Sequence, residues 1–187
     1  MMDLWSLPTT AIIGNKEYEI RTDFREVLKI IKGFTDPDIP EWIRWHIAVG
    51  SFFVGDIPTN CMREAMDFLA DFISYTCDEA DTKPGPVLMD WEQDAKPIVA
   101  DVNKIAGTEI RSLPYMHWWT FLSHFHAIGE GQFSTIVSIR DKLQKGKPLE
   151  KWEKEFYREN KERVDLKQRY SAEEIAEQKR LKAMLGE

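Results

Sequence analysis

Cysteine is scarce in this chain of 187 residues: only Cys61 and Cys77 occur, and they form no CxxC pair. Zinc-ribbon and thioredoxin-type motifs are thereby excluded. Helical periodicity runs through both cysteines, and the sixteen residue steps from one to the other, at ~1.5 Å rise each, separate them by about 24 Å. A disulfide cannot span that distance, so both read as small apolar side chains. Long hydrophobic runs are also missing. No segment approaches the roughly 18 to 20 apolar residues of a membrane span. The opening Met1-Met2-Asp3-Leu4-Trp5 has no basic segment, apolar run and cleavage site of a secretory signal, which leads to the expectation of a protein of the cytoplasm. Glycine-rich phosphate loops, HExxH and internal repeats are absent as well.

What is present describes a globular domain, with hydrophobic residues at 43% and charged residues at 30%. A chain of this length typically buries roughly 70% of its unfolded surface, enough for a core of its own. The net charge of −7 is unevenly spread: residues 1–139 hold 11 basic and 21 acidic side chains, and residues 140–187 hold 14 basic and 11 acidic. An acidic body argues against nonspecific nucleic-acid binding, which needs basic surface to release phosphate counterions. The mixed-sign C-terminal quarter reads as a solvated helix face.

In AIIGNKEYEI, residues 11–20, apolar residues flank Gly14-Asn15, a dipeptide tolerant of positive φ, and predict a short hairpin. Thr22 is the expected cap of a first helix ending at Gly33. Pro40 starts a second, with Trp42, Ile43 and Ile47 among its apolar residues, and Pro58-Thr59 marks a third. DEADTKPGP, residues 78–86, is the expected exposed loop and the one candidate boundary within the body. A fourth helix is capped by Asp90, with Pro97 kinking it, or by Asp94, with Pro97 in its first turn. Helices over 115–129 and 133–143 follow. Past Pro148 a charged helix has only Leu149, Trp152, Phe156 and Tyr157 to bury, and a last helix opens with a capping box, Ser171 to Glu174. The expected fold is a mainly α-helical single domain of about six to eight helices with a short N-terminal β-hairpin. Its body spans 1–148, and a charged helical extension over 149–187 is expected to be held only loosely.

The costliest stretch is PYMHWWTFLSHFHAIGEG, residues 114–131, which raises the question of a metal or proton-transfer site. On a helix at 100° per residue, Tyr115, Trp118, Trp119, Phe121, Leu122, Phe125 and Ile128 share one arc. His117 and His124 fall opposite, about 10.5 Å apart along the axis, and His126 points away from both, so no shared metal is expected. Asp90 and Asp94 have the i, i+4 spacing of an acid/base pair or a Mg²⁺ site, and equally of helix capping. No nucleophile or phosphate loop accompanies them, and Arg140 is placed to form a structural ion pair with one. Seven tryptophans and ten phenylalanines suggest aromatic anchors for a protein partner. Trp118, Trp119, Phe125, Trp152, Phe156 and Tyr157 are the candidates.

The hairpin leading into TDFREVL, then DWEQDA with Ile98, LPYMHWWTFLSHFHAIGE and FSTIVSIR, resemble a family of small phage and prophage proteins of Gram-positive bacteria. That family is known by its gene number fifteen. This chain departs from its pattern at Pro97 and in the longer DEADTKPGP loop. The resemblance implies a tail assembly chaperone, encoded near the tape measure gene, that binds the tape measure protein and keeps it soluble while the tail tube forms. It implies no catalytic residue, cofactor or metal. Partners would be the tape measure protein, a companion tail assembly chaperone and other copies of the chain, with no nucleic acid and no membrane. The expected location is the cytoplasm of the bacterial host, and the protein is expected to be absent from the mature virion. Two other readings stand beside it: a structural tail component retained in the virion, and an enzyme acting through Asp90, Asp94 and His117.

Overall fold

The computed structural model describes residues 5–75, 85–167, 169–174, 176, 177 and 180. The fold is mainly α. Strands β1 (Thr10–Ile13) and β2 (Lys16–Glu19) pair antiparallel, with Ala11 opposite Tyr18 and Ile13 opposite Lys16. Gly14 and Asn15 close the hairpin with φ of 57° and 62°, the left-handed pair that a two-residue turn requires. Gly14 is needed twice over, because a side chain there would also meet the Cys61 Sγ. The helices are α1 (Phe24–Phe34), α2 (Glu41–Phe52), α3 (Met62–Ser74), α4 (Ala95–Ala106), α5 (Trp118–His126), α6 (Gln132–Gln144), α7 (Lys151–Glu159) and α8 (Lys161–Val164).

The core gathers where α1 packs on α2 and α5, α2 on α3, and α4 on α5 and α6. Val27, Phe52, Leu69, Phe72 and Val102 are fully buried there. The hairpin contributes Ala11, Ile13 and Tyr18 from its inner face. Short backbone links lock the layers together. Ile20 bridges Phe53, Asp23 bridges His117, and the Trp118 N–H donates to the Thr22 carbonyl at 2.7 Å.

Several helix ends differ from the sequence expectation. Asp23, not Thr22, caps α1: its carboxylate accepts from the Arg25 N–H at 3.0 Å, while the Thr22 hydroxyl is bonded to the Tyr115 hydroxyl at 2.6 Å. Asp90 instead caps a turn, accepting from the Glu92 and Gln93 N–H groups, and α4 begins after Asp94. Pro97 therefore lies in the first turn, where its missing N–H costs nothing. Cys61 falls in a short 3₁₀ turn before α3 rather than in the helix. Cys77 and residues 78–84 of the expected loop lie outside the described residues. The Ser171 capping box is present, the Glu174 N–H donating to Ser171 and the Ser171 N–H to Glu174.

Residues 149–167 are not loosely held, contrary to the count of apolar residues past Pro148. The Glu153 carboxylate, 1% exposed, accepts from the Lys142 ammonium at 2.6 Å, and Val164 is buried against the body. Arg140 and Gln93 also grip the carbonyls of Arg163, Val164 and Asp165. A count of hydrophobic side chains does not register them.

The N-terminus of α6 is capped from another helix. Gly131 carries no side chain, and the buried Asp101 of α4 accepts from the Phe133 N–H at 2.9 Å in its place. Gly131 has an extended backbone, but a Cβ there would overlap the Asp101 carboxylate. Gly131→Ala should therefore displace the cap and destabilise the fold by about 1–3 kcal/mol. Chemical denaturation of this variant checks it, and a change within about 0.5 kcal/mol would show that the cap is not what holds this junction.

Candidate functional site

The aromatic stretch turns out to seal the end of a neighbouring helix. α3 finishes in the core, and its last carbonyls have no partner within the helix. The Trp118 indole N–H donates to the Ile73 carbonyl and the Trp119 indole N–H to the Phe72 carbonyl, each at 3.0 Å. The rings pack on Phe121, Phe72 and Tyr75. Trp118 and Trp119 are 1% and 2% exposed. The expectation that they bind a partner is corrected: both faces and both N–H groups are used inside the core.

His117 is the N-cap of α5. Its Nδ1 accepts from the Trp119 N–H at 3.0 Å, and its Nε2 therefore carries the proton and donates to the Pro8 carbonyl at 3.1 Å. Burial pushes the imidazole below its ordinary pKa, only partly opposed by the bond to Pro8. Because the folded value is the lower one, His117 contributes stability above the unfolded value of about 6.5. That contribution is lost as pH falls through the folded value. The unfolding free energy of the parent should fall as pH drops below about 6.5, whereas His117→Asn, which keeps the cap without a titrating group, should show a flatter profile. Equal slopes in the two proteins would contradict this role.

The acidic pair belongs to a polar cleft of about 810 Å³ lined by α4, α6 and the side of the chain that carries Glu162, Arg163, Lys167 and Arg169. At its base Arg140, 4% exposed, makes a two-pronged pair with Asp94, 1% exposed, at 2.7 and 2.9 Å. The same guanidinium donates to the carbonyls of Leu88, Arg163 and Val164. Gln93 extends this clasp, donating to the Asp165 carbonyl at 2.8 Å and accepting from the Lys167 N–H at 3.0 Å. Arg169 closes it on Asp90 and Glu92. Burial works against ionisation of Asp90, but the Gln93 and Glu92 N–H groups and Arg169 hold its carboxyl below the ordinary range.

Asp90 and Asp94 thus meet, the Asp90 N–H donating to Asp94 at 2.9 Å, and Arg140 joins them. His117 shares no hydrogen bond with either aspartate; its ring lies on Phe72 and Trp119. Among the described residues no group of three or more His, Cys, Asp or Glu is placed to hold a metal ion, and no helix is long and apolar enough to cross a membrane.

The remaining aromatic candidates are scattered. Phe125 is half-buried against Trp91 and Phe133. On α7, Trp152 is 53% exposed, and Phe156 and Tyr157 are half-buried, the Tyr157 hydroxyl donating to Asp165 at 2.8 Å. Exposed apolar side chains also stand on α2, among residues not put forward from sequence. Ala48, Val49 and Phe52 point into the core, while Trp42 and Ile47, 65% and 53% exposed, flank an outward face that also carries His46 and Gly50. The signal was available: EWIRWHIAVGSF is apolar on both sides of its helical wheel, more than one buried face requires. Shallow depressions of about 160 and 270 Å³ border this ridge, one lined by Ile30, Ile39 and Ala48, the other by Phe53, Ile57 and Met62.

Comparison with curated proteins and with solved structures finds no match. A sequence profile of the Bacteriophage Gp15 protein family matches residues 5–166, which span the hairpin, the aromatic seal, the α2 face and the Arg140 clasp as far as its carbonyl partners. That span covers most of the chain, and the protein belongs to the Bacteriophage Gp15 family.

Proposed function

We propose that this bacteriophage protein is a tail assembly chaperone. It binds the tape measure protein, keeps it soluble in the cytoplasm of the bacterial host while the tail tube assembles around it, and leaves before the virion is complete. The role needs no catalysis and no cofactor. The observation that carries it is the outward face of α2. Side chains as apolar as Trp42 and Ile47 are held in solvent by a helix whose other side is anchored in the core. A tape measure offers long apolar helical stretches, and an exposed apolar helix face flanked by grooves is suited to hold them. The acidic body, with a surplus of carboxylates over residues 1–139, keeps many bound copies from associating with one another.

Co-expression tests this reading. Tape measure fragments made with this protein should appear in the soluble fraction and co-purify with it at low salt. Fragments equally insoluble with and without it, together with detection of this polypeptide in purified virions, would replace the chaperone by a structural tail component.

A further inference from the structure

Gln93 fixes Asp165 and Lys167 on the body, and beyond them the hold on the chain changes character. None of residues 169–174 is buried. Two polar contacts tie them down. The Arg169 guanidinium donates to the Asp90 carboxylate at 3.0 Å, to Glu92 at 2.9 Å and to the Thr35 hydroxyl at 2.6 Å. Three residues on, where the Ser171 capping box opens a helical turn, the Ala172 N–H donates to the Asp38 carboxylate at 2.7 Å. Asp38 thereby satisfies one of the N–H groups that a helix start leaves open.

Arg169 also stands between two cavities. It lines both the 810 Å³ cleft and a neighbouring depression of about 470 Å³ bounded by Lys29, Lys32, Thr35 and Pro37. Its side chain therefore crosses one groove that runs from α4 and α6 to the loop before α2. With Arg169 lifted out, two carboxylates and a hydroxyl from separate parts of the chain converge on the place it held. The planar fork of a guanidinium reaches all three oxygens, whereas a lysine ammonium offers a single nitrogen. Lys32 shares Glu92, and among the described residues Asp90 pairs with no cation other than Arg169. The side chains of Arg169, Asp90 and Glu92 are 34%, 23% and 43% exposed, so water and salt reach these pairs and weaken them.

We infer that residues 169–172 are a strap, a ligand held in cis by the cradle of Asp90, Glu92, Thr35 and Asp38, and that the cradle takes an arginine-bearing segment from solution when the strap lifts. The short tether from Lys167 keeps the strap at an effective concentration of order millimolar. An outside segment therefore competes only after the Arg169 pairs are weakened. Lifting the strap uncovers no core residue, and the clasp of Arg140 and Gln93 stays closed beneath it. The inference goes beyond the chaperone reading and does not rest on it.

The test uses the full chain, isotope-labelled for NMR, as the parent and as Arg169→Gln. Backbone order parameters of residues 169–174 should be near about 0.85 in the parent at low salt and below about 0.6 in the variant. Those of residues 163–167 should not change. The Asp38 amide should shift in the variant as well, because Ala172 leaves with the arginine. Salt should loosen the strap of the parent and have little further effect on Arg169→Gln. An unlabelled peptide of residues 167–174 at about 1 mM should then carry the Thr35, Asp38 and Glu92 amides of the variant back toward their parental positions, and move those of the parent severalfold less. The same peptide with Arg169→Ala should leave them in place. A strap as ordered in Arg169→Gln as in the parent overturns the inference. So does loosening that spreads to residues 163–167, or a parental peptide that leaves the three amides of the variant unmoved.

Discussion

Arg140→Leu should lower the unfolding free energy by about 3–5 kcal/mol, the cost of leaving one member of a buried ion pair without the other. The substitution removes few apolar contacts. It leaves the Asp94 carboxylate, 1% exposed, without its cation, and the carbonyls of Leu88, Arg163 and Val164 without their donor. The clasp on the C-terminal segment should open with it, so trypsin should cut faster at Lys161, Arg163 and Lys167 in the variant than in the parent. Combining Arg140→Leu with Asp94→Leu should cost less than the two single changes added together, because the stranded charge is gone; coupling of about 0.5–3 kcal/mol is typical of paired residues. Denaturant unfolding of the four proteins gives the cycle. An Arg140→Leu variant within about 0.5 kcal/mol of the parent would show that the pair is ornamental.

Trp119→Ala should cost a similar amount, about 3–5 kcal/mol, and Trp119→Phe shows why. The phenyl ring keeps much of the packing on Phe72 and Tyr75 but has no N–H for the Phe72 carbonyl. An unsatisfied buried carbonyl costs about 1–3 kcal/mol. Trp118→Phe should lose a comparable amount through the Ile73 carbonyl. If the phenylalanine variants are as stable as the parent, the two tryptophans serve only as volume and the sealing of α3 is incidental.

These two substitutions mark what sequence reading reaches and where it stops. The helices, the hairpin at Gly14-Asn15 and the gathering of aromatic residues on one arc follow from local periodicity and turn chemistry, which act within a few residues. The Asp94 to Arg140 pair spans 46 residues and was legible only as an arginine following an apolar face. The indole bonds to Phe72 and Ile73 span 47 and 45, and nothing local in HWWTF points to the end of α3. Exposed and buried tryptophans look alike in a sequence. Trp118 and Trp119 therefore read as partner anchors although they are core, and Trp42 stood only among the apolar residues of its helix although it faces solvent. The C-terminal segment was misjudged for a related reason. Its hold on the body runs through its own carbonyls, reached by Arg140 and Gln93, and main-chain acceptors are the same for every sequence.

Hydrogen exchange on the protein alone and bound to a soluble tape measure fragment tests the central claim most directly, that α2 is the surface that holds the partner. The account predicts added protection over residues 42–52, centred on the exposed turn from His46 to Gly50, with the already buried α5 unchanged. Protection confined to α7, with residues 42–52 exchanging as in the free protein, would contradict it.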